Sequence, residues 1–490
     1  MIADEVSSGT DLPFADPAFR RYQHVRSAHW DSVARRQREV GFAVSSYRRR
    51  LIEVYRSAVA PGLRILEIGC GDGDLLAALQ PRVGVGLDLS SEMVARAARR
   101  HSGLRFVQAD GHALPLRGDF DVVVLSDLVN DLWDVQAVLE ELARLSGPRT
   151  RVILNVFSRL WGPTLALGRR MGLARPNLEQ NWLAVEDVVG LLYLADFEVI
   201  RQWAEVVWPL PTPPLDAVLN RVAVKLWPFS LVALTNFFVA RLRRPGRGRR
   251  IEPSVSVIVP ARNEAGNIEA IFARMPELGR STELVFVEGH SRDDTYVAIE
   301  RTIARYPGRQ ARLLRQTGVG KGDAVRMGFA QASGDIVLIL DADLTVAPED
   351  LPRFVEVLRS GKGEFVNGVR LVYPMEEQAM RFLNLLGNKL FSIAFSWILG
   401  QPVKDTLCGT KGLWREDYQR IAANRAYFGD FDPFGDFDLL FGATRANLRI
   451  VDLPIRYRQR VYGTTNIQRG RHGLLLLRML LYAGRRLKFV

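Results

Sequence analysis

Short apolar runs separated by longer helical patterns set the plan of this chain. Before residue 241 the runs are Arg64–Ile68, Val83–Asp88, Leu104–Gln108, Asp121–Leu125 and Arg151–Val156. After residue 253 they are Val255–Val259, Glu283–Glu288, Ala311–Leu314, Ile336–Leu340 and Glu364–Asn367. Strand-length runs alternating with helices predict an open, mostly parallel α/β sheet in each half. Between the halves Arg241–Pro253 reads RLRRPGRGRRIEP, with almost nothing to bury, and is expected to be an exposed linker. No repeat of fixed period is present.

Size and charge sharpen this plan. A chain of 490 residues exceeds what one hydrophobic core serves, so two or three domains are expected. Hydrophobic residues at 48% and charged residues at 24% exclude extensive disorder. The net charge of +12 suits an anionic partner: nucleic acid, anionic lipid headgroups or a phosphate-bearing substrate. Cys70 and Cys408, the only cysteines, exclude a disulfide framework and a multi-cysteine zinc site. Met1–Pro13 has no apolar core, so no signal peptide is expected. Ala217–Ala240 is interrupted by Arg221, Lys225 and Pro228, and Leu474–Ala483 is short and carries Arg478, so neither is expected to span a membrane. The expected location is cytoplasmic, with peripheral contact to the cytoplasmic face of a membrane as an open alternative.

The first half carries EIGCGDGD from Glu67 to Asp74, directly after a strand. Glycines there permit a tight strand-to-helix turn and close approach of a ligand to the backbone. Asp88 ends the next strand, where a carboxylate can accept two ribose hydroxyls. Asp110 and Gly111 follow the third strand, with Asp110 suited to an adenine amino group, and Ser126 and Asp127 end the fourth. All sit at carboxyl ends of strands, where ligands bind in open α/β sheets. The glycine order Gly69-x-Gly71-x-Gly73 departs from the G-x-G-x-x-G of dinucleotide-binding domains. The set EIGCGDGD, GLDLS and QADG resembles class I SAM-dependent methyltransferases, from about Tyr22 to Leu242. That resemblance implies a Rossmann-like fold with S-adenosyl-L-methionine held by Gly69, Gly71, Asp88 and Asp110, and Glu67, Gly73, Gly111 and Ser126 in the same motifs are further candidates for cofactor binding. It also implies that Phe197 onward and Leu234–Arg241 form the last strand pair. Asp127, Asn130, Asp131 and His112 are candidates for aligning or deprotonating a methyl acceptor.

In the second half an apolar strand ends in Asp341-Ala-Asp343. Two carboxylates two residues apart can face the same way and, beside a diphosphate, hold Mg²⁺ or Mn²⁺. Pro260, Arg262 and Glu264 lie on the turn after the first strand, and Glu288 ends the second. Lys321 stands between glycines before a helix and suits an anionic donor. It is not a P-loop lysine, because Gly322 follows it. These motifs resemble family 2 glycosyltransferases of GT-A fold over Val255–Arg460. The resemblance implies donor binding by Pro260, Arg262, Glu264, Glu288, Lys321 and Asp341, with metal on Asp341 and Asp343. The family often has two aspartates after the second strand, where this chain has Glu288-Gly289.

Arg381, Asn388, Phe391 and Gly400 precede VKDTLCGTK, from Val403 to Lys411. That run is similar to a segment of dolichyl- and polyprenyl-phosphate glycosyltransferases, with Leu407 in place of their glutamine. A polyprenyl phosphate is therefore the expected acceptor, and an anionic membrane surface and a nucleotide-sugar donor the expected partners. Asp436, with Asp438 behind it, is the expected catalytic base or acceptor-positioning group. Arg456, Arg458 and Arg460 alternate along a strand-like Pro454–Arg460 and are candidates to grip the acceptor phosphate. Gln468-Arg-Gly-Arg471-His472 lacks the tryptophan of processive synthases.

The expected domains are 20–242, methyltransferase-like; 243–253, linker; 254–465, glycosyltransferase; and 466–490, a basic amphipathic helix. The chain is expected to be a bifunctional transferase. Two alternatives stay open: a glycosyltransferase with a SAM-binding domain that does not react, and a nucleic-acid-modifying methyltransferase, against which the nucleotide-sugar motifs speak.

Overall fold

In the first half the apolar runs become β1 (Arg64–Ile68), β2 (Val83–Asp88), β3 (Arg105–Gln108), β4 (Val122–Leu125) and β5 (Arg151–Phe157), followed by β6 (Phe197–Glu205) and β7 (Thr235–Leu242). The structure is a computed structural model that describes residues 16–35, 42–171, 178–243, 252–370, 372–373, 382–427, 437–460, 462 and 469–490. The chain divides into two units between Arg244 and Pro245. Most of the expected linker lies outside the described residues.

Among the described residues the first unit holds one seven-stranded sheet, ordered β3-β2-β1-β4-β5-β7-β6. β1 to β5 pair in parallel, and β7 inserts antiparallel between β5 and β6. The central strands are apolar on both faces because helices cover both. Leu66, Ile68 and Val123 pack with the helix Val135–Leu145. Ile65, Val122 and Val124 pack on the other side with Leu51, Val54 and Tyr55 of the helix Phe42–Ala58. The apolar stretch before the linker is a short helix, Leu215–Arg221, then two 3₁₀ turns and β7. Strand order reverses between β1 and β4, which opens a crevice at their carboxyl ends.

The second unit repeats the principle. Its strands are β8 (Val255–Ala261), β9 (Thr282–Glu288), β10 (Gln310–Arg315), β11 (Ile336–Ile339), β12 (Phe365–Val369), β13 (Lys411–Trp414) and β14 (Ile450–Pro454). Their order is β10-β9-β8-β11-β13-β12-β14, with β13 antiparallel to both neighbours. The order reverses between β8 and β11, so the ends of β8, β9 and β11 share one edge. Both units thus have the α/β class expected of them.

Of the helix expected over 466–490, residues 466–468 lie outside the described residues, and the rest holds the helix Arg469–Ala483 continuing into a π turn, Gly484–Lys488. Leu476, Met479 and Ala483 are buried in a core that includes Phe395 and Ile398 of the helix Phe382–Leu399. Leu474, Leu477 and Leu481 face outward, beside Arg478. No helix among the described residues is long and apolar enough to cross a membrane.

Candidate functional sites

The turn after β1 is left-handed at Gly69, Gly71 and Gly73, with φ of 71°, 51° and 74°. At Gly71 an added Cβ would meet nothing within 4 Å, whereas at Gly73 it would strike Phe106 and His101. Gly71 therefore leaves room for a ligand, and Gly73 serves close packing. A cavity of about 510 Å³ opens here, lined by Gly69, Gly71, Asp88, Asp110, Gly111 and Ser126. Glu67 and Gly73 are not among its lining residues. Glu67 is buried, its Oε2 has no hydrogen-bond partner among the described residues, and burial pushes its carboxyl up to about 8.

Asp88 accepts from the Gly71 N–H through Oδ2 and from the Ser90 N–H through Oδ1, both at 2.9 Å. Burial raises its carboxyl despite these bonds. Each oxygen still has capacity to accept from a hydroxyl.

Asp110 is held by a chain of hydrogen bonds. The Asp134 N–H donates to His112 Nε2 at 3.1 Å, so Nδ1 carries the ring proton and donates to Asp110 Oδ1 at 2.6 Å. Gln23 Nε2 donates to Asp110 Oδ2 at 2.5 Å. Burial alone would raise the Asp110 carboxyl, but the bonds from His112 and Gln23 outweigh it and hold the carboxyl low. Both His112 nitrogens are committed, which suits an orienting group rather than a base.

Sequence reading overlooked the first helix, Pro17–Arg35. Tyr22, Arg26 and Trp30 recur every four residues, lie on one helical face and line the cavity. Arg26 pairs with Asp131, Trp30 Nε1 donates to Asp131 Oδ2 at 3.2 Å, and the Tyr22 hydroxyl donates to the Asp131 carbonyl at 2.6 Å. That four-residue spacing was the available signal. Tyr47 was also missed; its hydroxyl donates to Asp127 Oδ1 at 2.9 Å. Asp127 sits at φ 54° on the cavity wall, in a conformation side chains rarely adopt. Asn130 is buried, donating to the Asn181 carbonyl at 2.7 Å and accepting from the Phe157 N–H at 2.9 Å, which makes it structural.

In the second unit the ends of β8, β9 and β11 bring together most of the expected donor-site residues. Lys321 Nζ, at the start of the helix Lys321–Gln331, lies 2.7 Å from Asp341 Oδ1. Gly409 passes so closely that a Cβ would collide with both members of this pair. Burial would raise the Asp341 carboxyl, but Lys321, Arg370 and Lys411 together hold it low. Asp343 Oδ1 accepts from the Thr345 hydroxyl at 2.8 Å. Arg460 spans the site, donating to Asp343 Oδ2 at 2.7 Å and to Glu264 Oε1 at 3.0 Å. Glu264 also accepts from Asn267 Nδ2 at 2.7 Å, yet burial pushes its carboxyl up to about 7.

Glu288 is buried and accepts from the Ser291 N–H at 2.6 Å, fixing the loop after β9. Pro260 is half-buried and Arg262 exposed at the edge of the same turn. Arg370 grips the buried Asp405 through two bonds of 2.7 and 2.9 Å. Removing either partner would strand a charge at a cost of about 3–5 kcal/mol. Cys408 is buried, and burial pushes its thiol up to about 11, as suits a packing residue.

The strand-like segment expected over Pro454–Arg460 ends early, because β14 stops at Pro454. Beyond it the backbone is held by the turn that follows Asp341 and Asp343: the Arg458 N–H donates to the Thr345 carbonyl at 2.9 Å. The three arginines therefore do not share one face. Arg456 is exposed over the Tyr373 ring, Arg458 is exposed, and Arg460 turns into the carboxylates. Asp438 opens the helix Phe437–Arg445 and accepts from Arg425 Nε at 2.9 Å. Asp436 and Arg381 lie outside the described residues.

Among the described residues no three metal-ligating side chains converge. A divalent cation here would take one or both of Asp341 and Asp343 and complete its shell with donor phosphate and water, the usual manner of Mg²⁺. Lys321 and Arg460 sit against these carboxylates.

Two α/β sheets, each with carboxylates gathered at a topological switch point, define a chain of two transferase domains. Residues 65–149 match the methyltransferase domain model and residues 256–421 the glycosyl transferase family 2 model, so the chain carries a methyltransferase domain and a family 2 glycosyltransferase domain. It is 36% identical over 176 residues to a dolichol-phosphate mannosyltransferase of Pyrococcus furiosus, covering 35% of this chain and 49% of the relative. It is 35% identical over 118 residues to an undecaprenyl-phosphate 4-deoxy-4-formamido-L-arabinose transferase of Pseudomonas aeruginosa, covering 23% of this chain and 34% of the relative. The chain thus spans about half the length of the first relative and a third of the second. A solved magnesium protoporphyrin IX methyltransferase from Synechocystis PCC 6803 matches 45% of this chain and 99% of its own, at 18% identity and a TM-score of 0.33.

Proposed function

We propose that the second unit transfers a sugar from a nucleotide-sugar donor to a polyprenyl phosphate, with Mg²⁺ or Mn²⁺, and that the first unit is a SAM-dependent methyltransferase. The observation that carries this reading is the meeting of Lys321, Asp341, Asp343 and Arg460 at one sheet edge. Lys321 is assigned to the donor's phosphates and Glu288 to its nucleoside, and Arg460, expected at the acceptor phosphate, is reassigned to the donor side because it binds Asp343. The cation supplies neutralisation of charge on the leaving diphosphate. A phosphate monoester acceptor, with a second pKa of about 6, is already ionised at neutral pH and needs orientation more than deprotonation. Asp438, paired with Arg425, and Asp436 are assigned to acceptor positioning, and Arg456 and Arg458 to the approach of the acceptor phosphate.

A lipid acceptor fits the outer faces of two helices. Leu390, Ile393 and Trp397 of Phe382–Leu399, with Leu474, Leu477 and Leu481 of Arg469–Ala483, are exposed. Arg478, Arg485 and Arg486 accompany them, the composition of a surface that rests on anionic lipid. In the first unit, Asp88 is assigned to the ribose and Asp110 to the adenine of SAM, a reading supported by their place beside Gly69 and Gly71 on one cavity wall.

The test is a screen of UDP- and GDP-sugars, reading nucleoside diphosphate release with and without polyprenyl phosphate, in Mg²⁺, Mn²⁺ or chelator. Release that requires lipid phosphate and metal, and is lost in Asp341→Asn, is expected. No release with any donor, or release unchanged in Asp341→Asn, refutes the assignment.

A further inference from the structure

The cavity of the first unit opens onto apolar surface. Its outer wall is built by Trp161, Leu165, Leu167, Met171, Trp208 and Leu210. Leu167 is 58% and Met171 64% exposed, so the same side chains line the cavity and face outward. The apolar surface continues through Leu215 and Val218 on the helix Leu215–Arg221, then Leu226, Trp227, Phe229 and Leu231 on the turns after it. Trp227 is 80% exposed. Trp161 Nε1, just before the helix Gly162–Arg170, donates to the Val232 carbonyl at 2.8 Å and so brings the segment carrying Leu165 and Leu167 against the one carrying Phe229 and Leu231. Contiguous apolar surface of this kind marks a contact site.

Charge indicates what covers it. Residues 158–171 and 207–232 contain Arg159, Arg169, Arg170, Arg221 and Lys225 against one acid, Asp216. Lys225 is buried on Glu205 and Arg221 pairs with Glu53 at 3.2 Å, while Arg159 and Arg170 are exposed. Bulky aromatic and aliphatic side chains on short turns, rimmed by arginines, suit the bilayer interface: apolar groups enter the headgroup region and guanidiniums meet lipid phosphates. Pairing two copies through this face would set one basic rim against another. We propose that this surface seats the methyltransferase unit on an anionic bilayer, and that its methyl acceptor is a membrane-resident amphiphile reaching the cavity across the apolar wall. The acceptor clause rests on the cavity being the SAM site; the docking clause does not. In the reaction the sulfonium S–CH₃ bond breaks as the acceptor nucleophile forms its bond to carbon, and S-adenosylhomocysteine and the acceptor's proton leave.

The full chain is mixed with vesicles of phosphatidylglycerol and phosphatidylcholine, and partition is read by co-sedimentation. A Trp227→Ser/Leu231→Ser variant, altering only exposed side chains, is expected to bind on the order of tenfold more weakly. A Leu477→Ser/Leu481→Ser variant separates any contribution of the last helix. Brominated phosphatidylglycerol is expected to quench tryptophan fluorescence less in Trp227→Tyr than in the parent. Unchanged partition and quenching overturn the docking, as does loss of a sedimenting dimer in the first variant, which would assign the face to self-association. S-adenosylhomocysteine binding, followed by calorimetry, is expected to be equal in parent and variant. Its absence in both overturns the SAM reading while leaving the docking result intact. Tritium from labelled SAM is expected in the organic-soluble fraction of a lipid extract of the source cells; label confined to water, or none, overturns the acceptor clause.

Discussion

Arg460 binds Asp343 at 2.7 Å across 117 residues of sequence, and its other terminal nitrogen binds Glu264 at 3.0 Å. One guanidinium thus couples the turn that carries Asp343 to the turn after β8. Its hold on Glu264 depends on ionisation, and burial has raised that carboxyl to about 7. As pH falls through about 7, Glu264 takes up a proton and its charge attraction to Arg460 is lost.

Sugar transfer is therefore expected to decline below about pH 7 with an inflection belonging to Glu264. Glu264→Gln should remove that inflection and show near pH 8 the activity the parent has near pH 6, both values being approximate. Donor-dependent release of nucleoside diphosphate across this range is the measurement. An unchanged inflection in the variant would assign it to another group.

Gly409 offers a test of the Lys321–Asp341 pair that touches neither residue. A methyl group at Gly409 would collide with Lys321 Nζ and Asp341 Oδ2. Lys321 has a flexible stem and can move, so the fold should survive in Gly409→Ala while the pair separates. Displacement of this kind costs about a hundredfold in rate. Thermal unfolding should change little; a large drop in Tm with normal specific activity would contradict the expectation.

The sequence carries the strands of both sheets well, because buried parallel strands are continuous apolar runs and the acids at their tips interrupt them. Asp88, Asp110, Glu288 and Asp341 are all recognisable that way. What it does not carry is long-range pairing. Arg460 reads as one of three equivalent arginines, and only the early end of β14 at Pro454 separates it from Arg456 and Arg458. His112 reads as a candidate base, because its commitment to Asp110 and to the Asp134 backbone depends on a turn that local pattern does not specify. Tyr22 and Trp30 look like one face of an ordinary helix until that face is found against the cavity.

His112→Ala should weaken S-adenosylhomocysteine binding without removing any group that touches it. The substitution releases Asp110 from its 2.6 Å bond, and loss of such a supporting partner typically costs about ten- to a hundredfold in affinity. His112→Asn, able to donate to Asp110, should recover part of the loss. Asp88→Ala should abolish binding. Calorimetric titration distinguishes these outcomes, and equal affinity in all the variants would remove the cavity from consideration as the SAM site.

Glu67 gives a stability prediction whose sign follows from burial alone. Its carboxyl is raised from an ordinary 4.5 to about 8 in the folded chain, chiefly by desolvation. Between those values the unfolded chain has released the proton and the folded chain retains it. The unfolded state then binds fewer protons, so stability falls as pH rises. The contribution is full below about 4.5 and is lost as pH climbs through about 8. Glu67→Gln cannot ionise and keeps nearly the same shape, so its unfolding curve should lack this slope. Differential scanning calorimetry of parent and variant should give similar Tm values near pH 5 and a higher Tm for the variant near pH 8, both approximate. Parallel curves over that range would show that folding does not raise the Glu67 carboxyl.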